Sequence, residues 1–180
     1  MPSILDFKNA FNGGTRENRF LVKGNFPGTP TNNSISQFHV TATQIPTLST
    51  MVMEYNYFGR KLYLPGEKQY GSWSMRIVDD VGTGDMWKKF SDWQNLINSH
   101  ELNDSATPNN YKKDGWEVQH LDLNGDLPLK KFILNGCWPK TIEPIVFNMA
   151  NPNTLNQFYV VMIYDTIELV SGDNKITSSS

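Results

Sequence analysis

Two hydrophobic periods stand back to back between Leu64 and Ile97. After the turn signal Pro65-Gly66, Trp73, Met75 and Ile77 alternate with Ser72, Ser74 and Arg76, the period-two pattern of a half-buried strand. From Met86 the apolar residues fall at Met86, Phe90, Trp93 and Ile97, spacings of four, three and four, with Lys88, Lys89, Ser91, Asp92 and Asn95 between them. That stripe predicts one packed helix over about 85–98.

The remaining segments read mainly as strands. Ile4, Leu5, Phe7 and Phe11 suggest a short N-terminal helical arm that stops at Asn12-Gly13-Gly14. Phe20-Leu21-Val22 predicts a strand, and the Gly- and Pro-rich stretch from Gly24 to Asn33 a surface loop. Phe38, Val40 and Ala42 alternate with His39, Thr41 and Thr43, placing His39 on the solvent side of a strand ending at Ile45-Pro46. Met51 to Tyr57 and Lys61 to Leu64 flank Phe58-Gly59-Arg60 as a hairpin whose aromatic residues need partners. Ser99 to Asn110 is polar and reads as a surface connection. Trp116 to Leu121 and Leu129 to Leu134 flank Asn124-Gly125, a dipeptide suited to a turn with two positive φ values. Strands are also expected near Ile145 to Phe147 and from Gln157 to Tyr164, and Ser171 to Ser180 should fray. The tally is seven to nine strands and one good helix without βαβ alternation. It predicts a mainly β (α+β) protein, an antiparallel sandwich or barrel with one flanking helix. One domain over 1–170, with an arm at 1–15 and a tail at 171–180, accounts for the 180 residues.

Composition removes several functions. The net charge of −2 with 19% charged residues gives no basic field for nucleic acid; Lys112-Lys113 and Lys130-Lys131 are too few for a groove. No apolar run is long enough to span a membrane, and Met1-Pro2-Ser3 does not open a secretory signal. One cysteine, Cys137, forbids an intrachain disulfide and reads as a small buried hydrophobe. His39, His100 and His120 are far apart, His120 also being assigned to the solvent side, so neither metal binding nor a catalytic dyad is expected. Asp79-Asp80 precedes Gly82-Thr83-Gly84-Asp85 and reads as a turn leading to a helix cap at Thr83 or Asp85, since neighbouring strand carboxylates point to opposite faces. Gly82-Thr83-Gly84 lacks the Gly-Lys-Ser/Thr of a phosphate loop. No catalytic residue and no cofactor is called. Trp87 and Leu96 flank the helix stripe and would either extend the core or meet another subunit.

The ordered set Arg16-Glu17-Asn18-Arg19-Phe20, Leu64 to Trp73, Lys89-Phe90-Ser91-Asp92-Trp93-Gln94 and Tyr111-Lys112-Lys113 resembles the tail tube proteins of contractile-tailed bacteriophages. Asn135-Gly136-Cys137-Trp138-Pro139 is similar to that family's Gly-x-Trp-Pro, and Asn156 to Val160 to its final strand. The resemblance implies a structural virion protein, not an enzyme. It would form hexameric rings that stack into a hollow inner tube, with strands of all protomers joined in one inner barrel. Its implied partners are copies of itself, the tail sheath protein, baseplate and tail-terminator proteins, the tape measure protein and then genomic DNA passing without sequence-specific binding. The implied location is the virion tail, after assembly in the host cytoplasm. Arg60 and Lys61 in the hairpin are expected at contacts between protomers or rings, Arg16 and Asn18 at the anchor of the arm, and Trp138-Pro139 at a strand end. A baseplate initiator or cap of the tube, or the inner tube of a tail-derived injection device including type VI secretion, fits the same pattern. From another class, a β-barrel holding a small apolar ligand would also use many aromatics.

Overall fold

Trp73 to Val78 form a strand whose alternate residues Trp73, Met75 and Ile77 are fully buried, as their period-two spacing requires. A computed structural model of the chain describes residues 4, 15–28, 34–35, 38–80, 85–99, 104–122, 128–150, 154–171 and 174–175. The elements run β1 (Phe20–Asn25), β2 (Ser34–Ile35), β3 (Val40–Thr43), β4 (Leu48–Tyr57), β5 (Arg60–Tyr70) and β6 (Trp73–Val78). Then come α1 (Met86–Ile97), α2 (Pro108–Tyr111), β7 (Trp116–Leu121), β8 (Pro128–Asn135), β9 (Trp138–Ile142), β10 (Gln157–Ile163), β11 (Thr166–Ser171) and β12 (Asn174–Lys175). All pairings are antiparallel. One sheet has the order β12-β11-β8-β7-β1-β2, a second β3-β6-β10-β9, and β4 pairs only with β5. The expected mainly β fold with a flanking helix is what the chain adopts.

An aromatic knot joins these layers. Trp73 of one sheet meets Trp116 of the other at 5.8 Å, and Trp93 of α1 stacks on Trp116 at 5.9 Å. Phe26, just past β1, inserts edge-on against Phe90, Trp93 and Trp116. The loop expected from Gly24 therefore begins two residues later, and its Phe26 is core. The helix forms where its stripe predicts: Asp85 caps it by accepting the Lys88 N–H at 2.8 Å, and Met86, Phe90 and Trp93 are buried. Trp93 Nε1 donates to the Tyr111 carbonyl at 2.7 Å, so the polar connection after α1 is held to the core by the short helix that Pro108 opens. A Cβ at Gly24 would lie 2.2 Å from the Trp116 ring, which is why this strand position carries no side chain.

Several expectations are corrected. β3 starts at Val40 and bulges before Ala42, which breaks the alternation: Phe38 is 81% exposed, whereas His39 is buried at 5%. His120 shares the side of β7 that carries Trp116 and Val118, where its Nε2 lies 3.2 Å from the Arg16 carbonyl oxygen. No strand forms at Ile145 to Phe147; β9 ends at Ile142, and Pro144, lacking an N–H, leads the chain off the sheet with Val146 and Phe147 exposed. The second hairpin strand does not stop before Pro65-Gly66 but continues through them to Tyr70, with a bulge between Thr50 and Val52 on its partner. Asn174–Lys175, within the stretch expected to fray, pairs with Val170–Ser171. The N-terminal helix beyond Ile4, the Gly82 to Gly84 turn, His100 and the Asn124-Gly125 turn lie outside the described residues, although β7 and β8 pair as that turn requires.

The Gly24–Trp116 approach gives a direct test. Gly24→Ala should lower unfolding free energy by about 1–3 kcal/mol through overpacking, read by urea denaturation, whereas unchanged stability would show that the ring can move aside.

Candidate functional site

The β4–β5 ribbon has two unlike faces. Residues directly opposite one another share a face, so Tyr57 with Arg60, Tyr55 with Leu62, and Met53 with Leu64 make one side almost wholly apolar. Asn56 with Lys61 and Glu54 with Tyr63 make the other side more polar. Lys61 Nζ donates to Glu54 Oε2 at 2.9 Å on that side. Phe58 and Gly59 turn the ribbon with φ of 46° and 76°, as a two-residue hairpin with two positive φ values demands. Every ribbon residue except Gly66 is exposed, including Met53, Tyr55, Tyr57, Phe58, Leu62 and Leu64. Among the described residues, the aromatics for which the sequence demands partners have a single ring contact, Tyr57 against Phe58 at 4.6 Å near the tip. An isolated two-stranded hairpin is marginal in water, and a row of exposed apolar side chains of this length marks an interaction surface.

The larger sheet leaves long edges open. β2 pairs only with Gly24 and Asn25 of β1, and β12 only with Val170 and Ser171 of β11. Among the described residues, Phe20 to Lys23 and Thr166 to Leu169 thus have no strand on their outer sides. β11 was not read from the sequence, although Ile167 and Leu169 alternate with Thr166, Glu168 and Val170. On the face turned from the core, the register aligns Lys23, Glu117, Ile133 and Glu168 across β1, β7, β8 and β11. Lys131 Nζ bonds Glu117 Oε1 at 2.7 Å on the same face, and Gln119 Nε2 donates to Glu117 Oε2 at 2.8 Å.

The residues singled out by sequence do not converge on one place. Arg60 sits at the tip on the apolar face, Lys61 is engaged by Glu54 on the other, and Arg16 and Asn18 are exposed just before β1. Trp87 and Leu96 on α1 are 40% and 43% exposed, so neither is absorbed by the core. Trp138 opens the edge strand β9 and meets Tyr111 edge-on at 6.4 Å, while Pro139 is buried where an edge strand can spare an N–H.

The titratable groups around the buried Gly136 and Cys137 offer no nucleophile. Gly136, with φ of 70°, would place a Cβ 2.2 Å from Asp165 Oδ2, and its N–H donates to Asp114 Oδ1 at 2.7 Å. Lys112 Nζ bonds both Asp165 carboxylate oxygens at 2.9 and 2.7 Å. That hydrogen bond, more than the nearby negative charge, raises the Lys112 ammonium above its ordinary range. Burial, then Asp114 and Asp165, push the Cys137 thiol up to about 12, and burial, Tyr70 and Cys137 raise the Tyr164 phenol. A thiol so protonated is no nucleophile at neutral pH. His39 Nε2 lies 3.8 Å from Asp80 Oδ2, and no set of three or more metal-ligating side chains occurs among the described residues.

In sequence, the chain is 26% identical over 166 residues to the tail tube protein of Serratia phage KSP90, covering 88% of this chain and 92% of that one. It is 23% identical over 166 residues to tail tube protein gp19 of Enterobacteria phage T4, covering 90% and 97%. No protein-family model matches it. In structure, it is similar to a chain of the sheath–tube complex of the extracellular contractile injection system PVC in its extended state. The TM-score is 0.65 at 18% identity, over 94% of this chain and all of the other.

The raised groups make stability fall on the alkaline side. The unfolded chain loses the Cys137 proton near 9.0 and the native chain only near 12, so native protein binds more protons in between and loses stability as pH rises. Lys112 acts in the same direction: its bridge is fully present below the ordinary lysine value and is lost as pH climbs through the raised one. Urea unfolding at pH 8 and 11 should show a smaller loss for Cys137→Ala than for the parent, each group supplying at most ~1.4 kcal/mol per pH unit; equal losses would contradict the assignment.

The resemblance to tail tube proteins of contractile-tailed bacteriophages carried by residues 16 to 165 is therefore a likeness along almost the whole chain.

Proposed function

We propose that this chain is the structural protomer of a contractile tail's inner tube, forming hexameric rings that stack into a conduit for DNA and a scaffold for the surrounding sheath. The observation that carries the reading is the ribbon: its apolar face, from Met53 to Leu64, is exposed and has no cover among the described residues. A neighbouring copy can supply that cover, with Arg60 at the contact and the Glu54–Lys61 pair left to solvent. Baseplate, terminator and tape measure proteins would meet the ends and the bore of the same tube. Residues 1–170 act as one tube domain with its arm, and its place is the virion, after assembly in the host cytoplasm.

The open edges support the ring. β11, β8, β7 and β1 alternate in direction, so rotating the sheet about an axis brings β11 of one copy beside β1 of the next in antiparallel orientation. An even number of long strands per protomer lets such a barrel close without a direction mismatch. Pairing also removes edges that would otherwise invite aggregation, and head-to-tail contact of this kind generates cyclic rings. In this arrangement the face bearing Lys23, Glu117, Lys131 and Glu168 lines the bore. Its two cations and two anions balance, and Lys131 is held by Glu117, so passing phosphates find little to bind. Trp87 and Leu96 face outward toward neighbouring proteins, and Trp138-Pro139 fixes the start of β9.

Negative-stain microscopy at rising protein concentration tests this. Rings or tubes of regular repeat are expected; a monomer under every condition would refute the reading. Leu62→Lys with Leu64→Lys should abolish tubes while shifting protomer stability by only about 0.5 kcal/mol each, as exposed substitutions do. Copy number per particle separates a tube from a baseplate cap, since only a tube is present in many rings.

A further inference from the structure

Most of the exposed large apolar side chains among the described residues gather in two places, and the topology puts those places at opposite ends of the smaller sheet. The ribbon roots at the Trp73 end of β6: β5 ends at Tyr70, and the Gly71 N–H donates to the Thr47 carbonyl at 2.8 Å just ahead of β4. The connection from β9 to β10 lies at the other end, where Gln157 pairs with Val78. It is pinned on both sides. The Glu143 N–H donates to the Tyr159 carbonyl at 2.8 Å, Ile145 packs on the core, and the Asp79 N–H donates to the Asn156 carbonyl at 3.0 Å. Between these anchors Val146, Phe147, Met149 and Leu155 are exposed, and Val146 and Leu155 line an open hollow of about 320 Å³.

The two ends are also opposite in charge. Arg60 stands at the ribbon tip on the apolar face, across from Tyr57, and Glu143 opens the loop. Among the described residues neither side chain has an ion-pair partner. Asp79 and Asp80, just after β6, add to the acid at the loop end. At ~3.3 Å per residue the 10-residue β4 spans ~33 Å, against ~20 Å for the 6 residues of β6. The ribbon is therefore long enough to lap onto the end of a neighbour's sheet. Two unlike apolar surfaces at opposite ends of one body do not meet within the protomer, but in a head-to-tail row each copy covers the next, and such a row stays open and grows.

We infer that the ribbon of one protomer seats on residues 143–150 and Leu155 of a copy in the adjoining ring, with Phe147 and Met149 against its apolar face and Glu143 facing Arg60. The inference deepens the stacked-tube reading and rests on it. Two kinds of contact are thereby separated: strand edges close each ring, and ribbon on loop joins one ring to the next. The exit of the chain from the sheet at Pro144 has a use in this arrangement, since it turns Val146 and Phe147 outward at the sheet's end.

Electron microscopy of the full chain over a concentration series, scoring tubes and single rings, tests the seat. Arg60→Glu and Glu143→Arg should each raise the concentration needed for tubes by about tenfold or more while single rings persist, because each substitution sets like charges face to face at every junction. Phe147→Ser should act in the same way. Combining Arg60→Glu with Glu143→Arg should restore tubes. Single variants that form tubes as the parent does, or a double variant as impaired as the singles, would overturn the loop as the ribbon's seat and leave the tube reading intact. A parent that forms no tubes, or only closed pairs joined ribbon to ribbon, would overturn both.

Discussion

Everything in this protomer is arranged around the packing of Trp116. It lies against Trp73 of the opposite sheet, Trp93 of the helix and Phe26 of the loop after β1, and the strand beside it must carry Gly24 to make room. Removing a fully buried Trp or Phe to Ala costs about 3–5 kcal/mol, a large share of a domain's net stability of about 5–15 kcal/mol. Stability is therefore concentrated at one knot, which fixes two sheets and the helix relative to one another.

Because the knot is local, the periphery is free to remain unsatisfied. The ribbon projects without covering its apolar face, and the larger sheet ends in edges that two-residue strands barely protect. In a monomer such features invite misassociation. In the proposed ring they become the adhesive. The face of the larger sheet turned from the core follows a contrary rule, with paired charges, Lys131 and Gln119 both held by Glu117, where the proposed bore would need little affinity for phosphate.

Much of this was legible in the sequence. The Met86, Phe90, Trp93 stripe and the Trp73, Met75, Ile77 alternation gave their elements nearly residue by residue, because each buries one face against the same core. The failures share a cause: periodicity assumes unbroken pairing. A bulge reversed Phe38 and His39, a second let β5 run through Pro65-Gly66, and Pro144 removed a strand that Ile145 to Phe147 suggested. The candidate site was legible only in part. The ribbon's aromatics signalled a need for partners, but that Met53, Tyr55, Leu62 and Leu64 share one side depends on the register, which no local pattern supplies. β11 escaped notice because only two strong apolar residues, Ile167 and Leu169, mark its core-facing side.

The central claim is that the ribbon's stability comes from neighbouring subunits and the knot's from within. Amide hydrogen exchange measured on dilute protomer and on assembled material addresses it directly. Amides of β4 and β5 should exchange rapidly in the protomer and become strongly protected on assembly, while those of β6, β7 and β10 are protected in both. A ribbon equally protected in the protomer, or still unprotected in the assembly, would contradict the account.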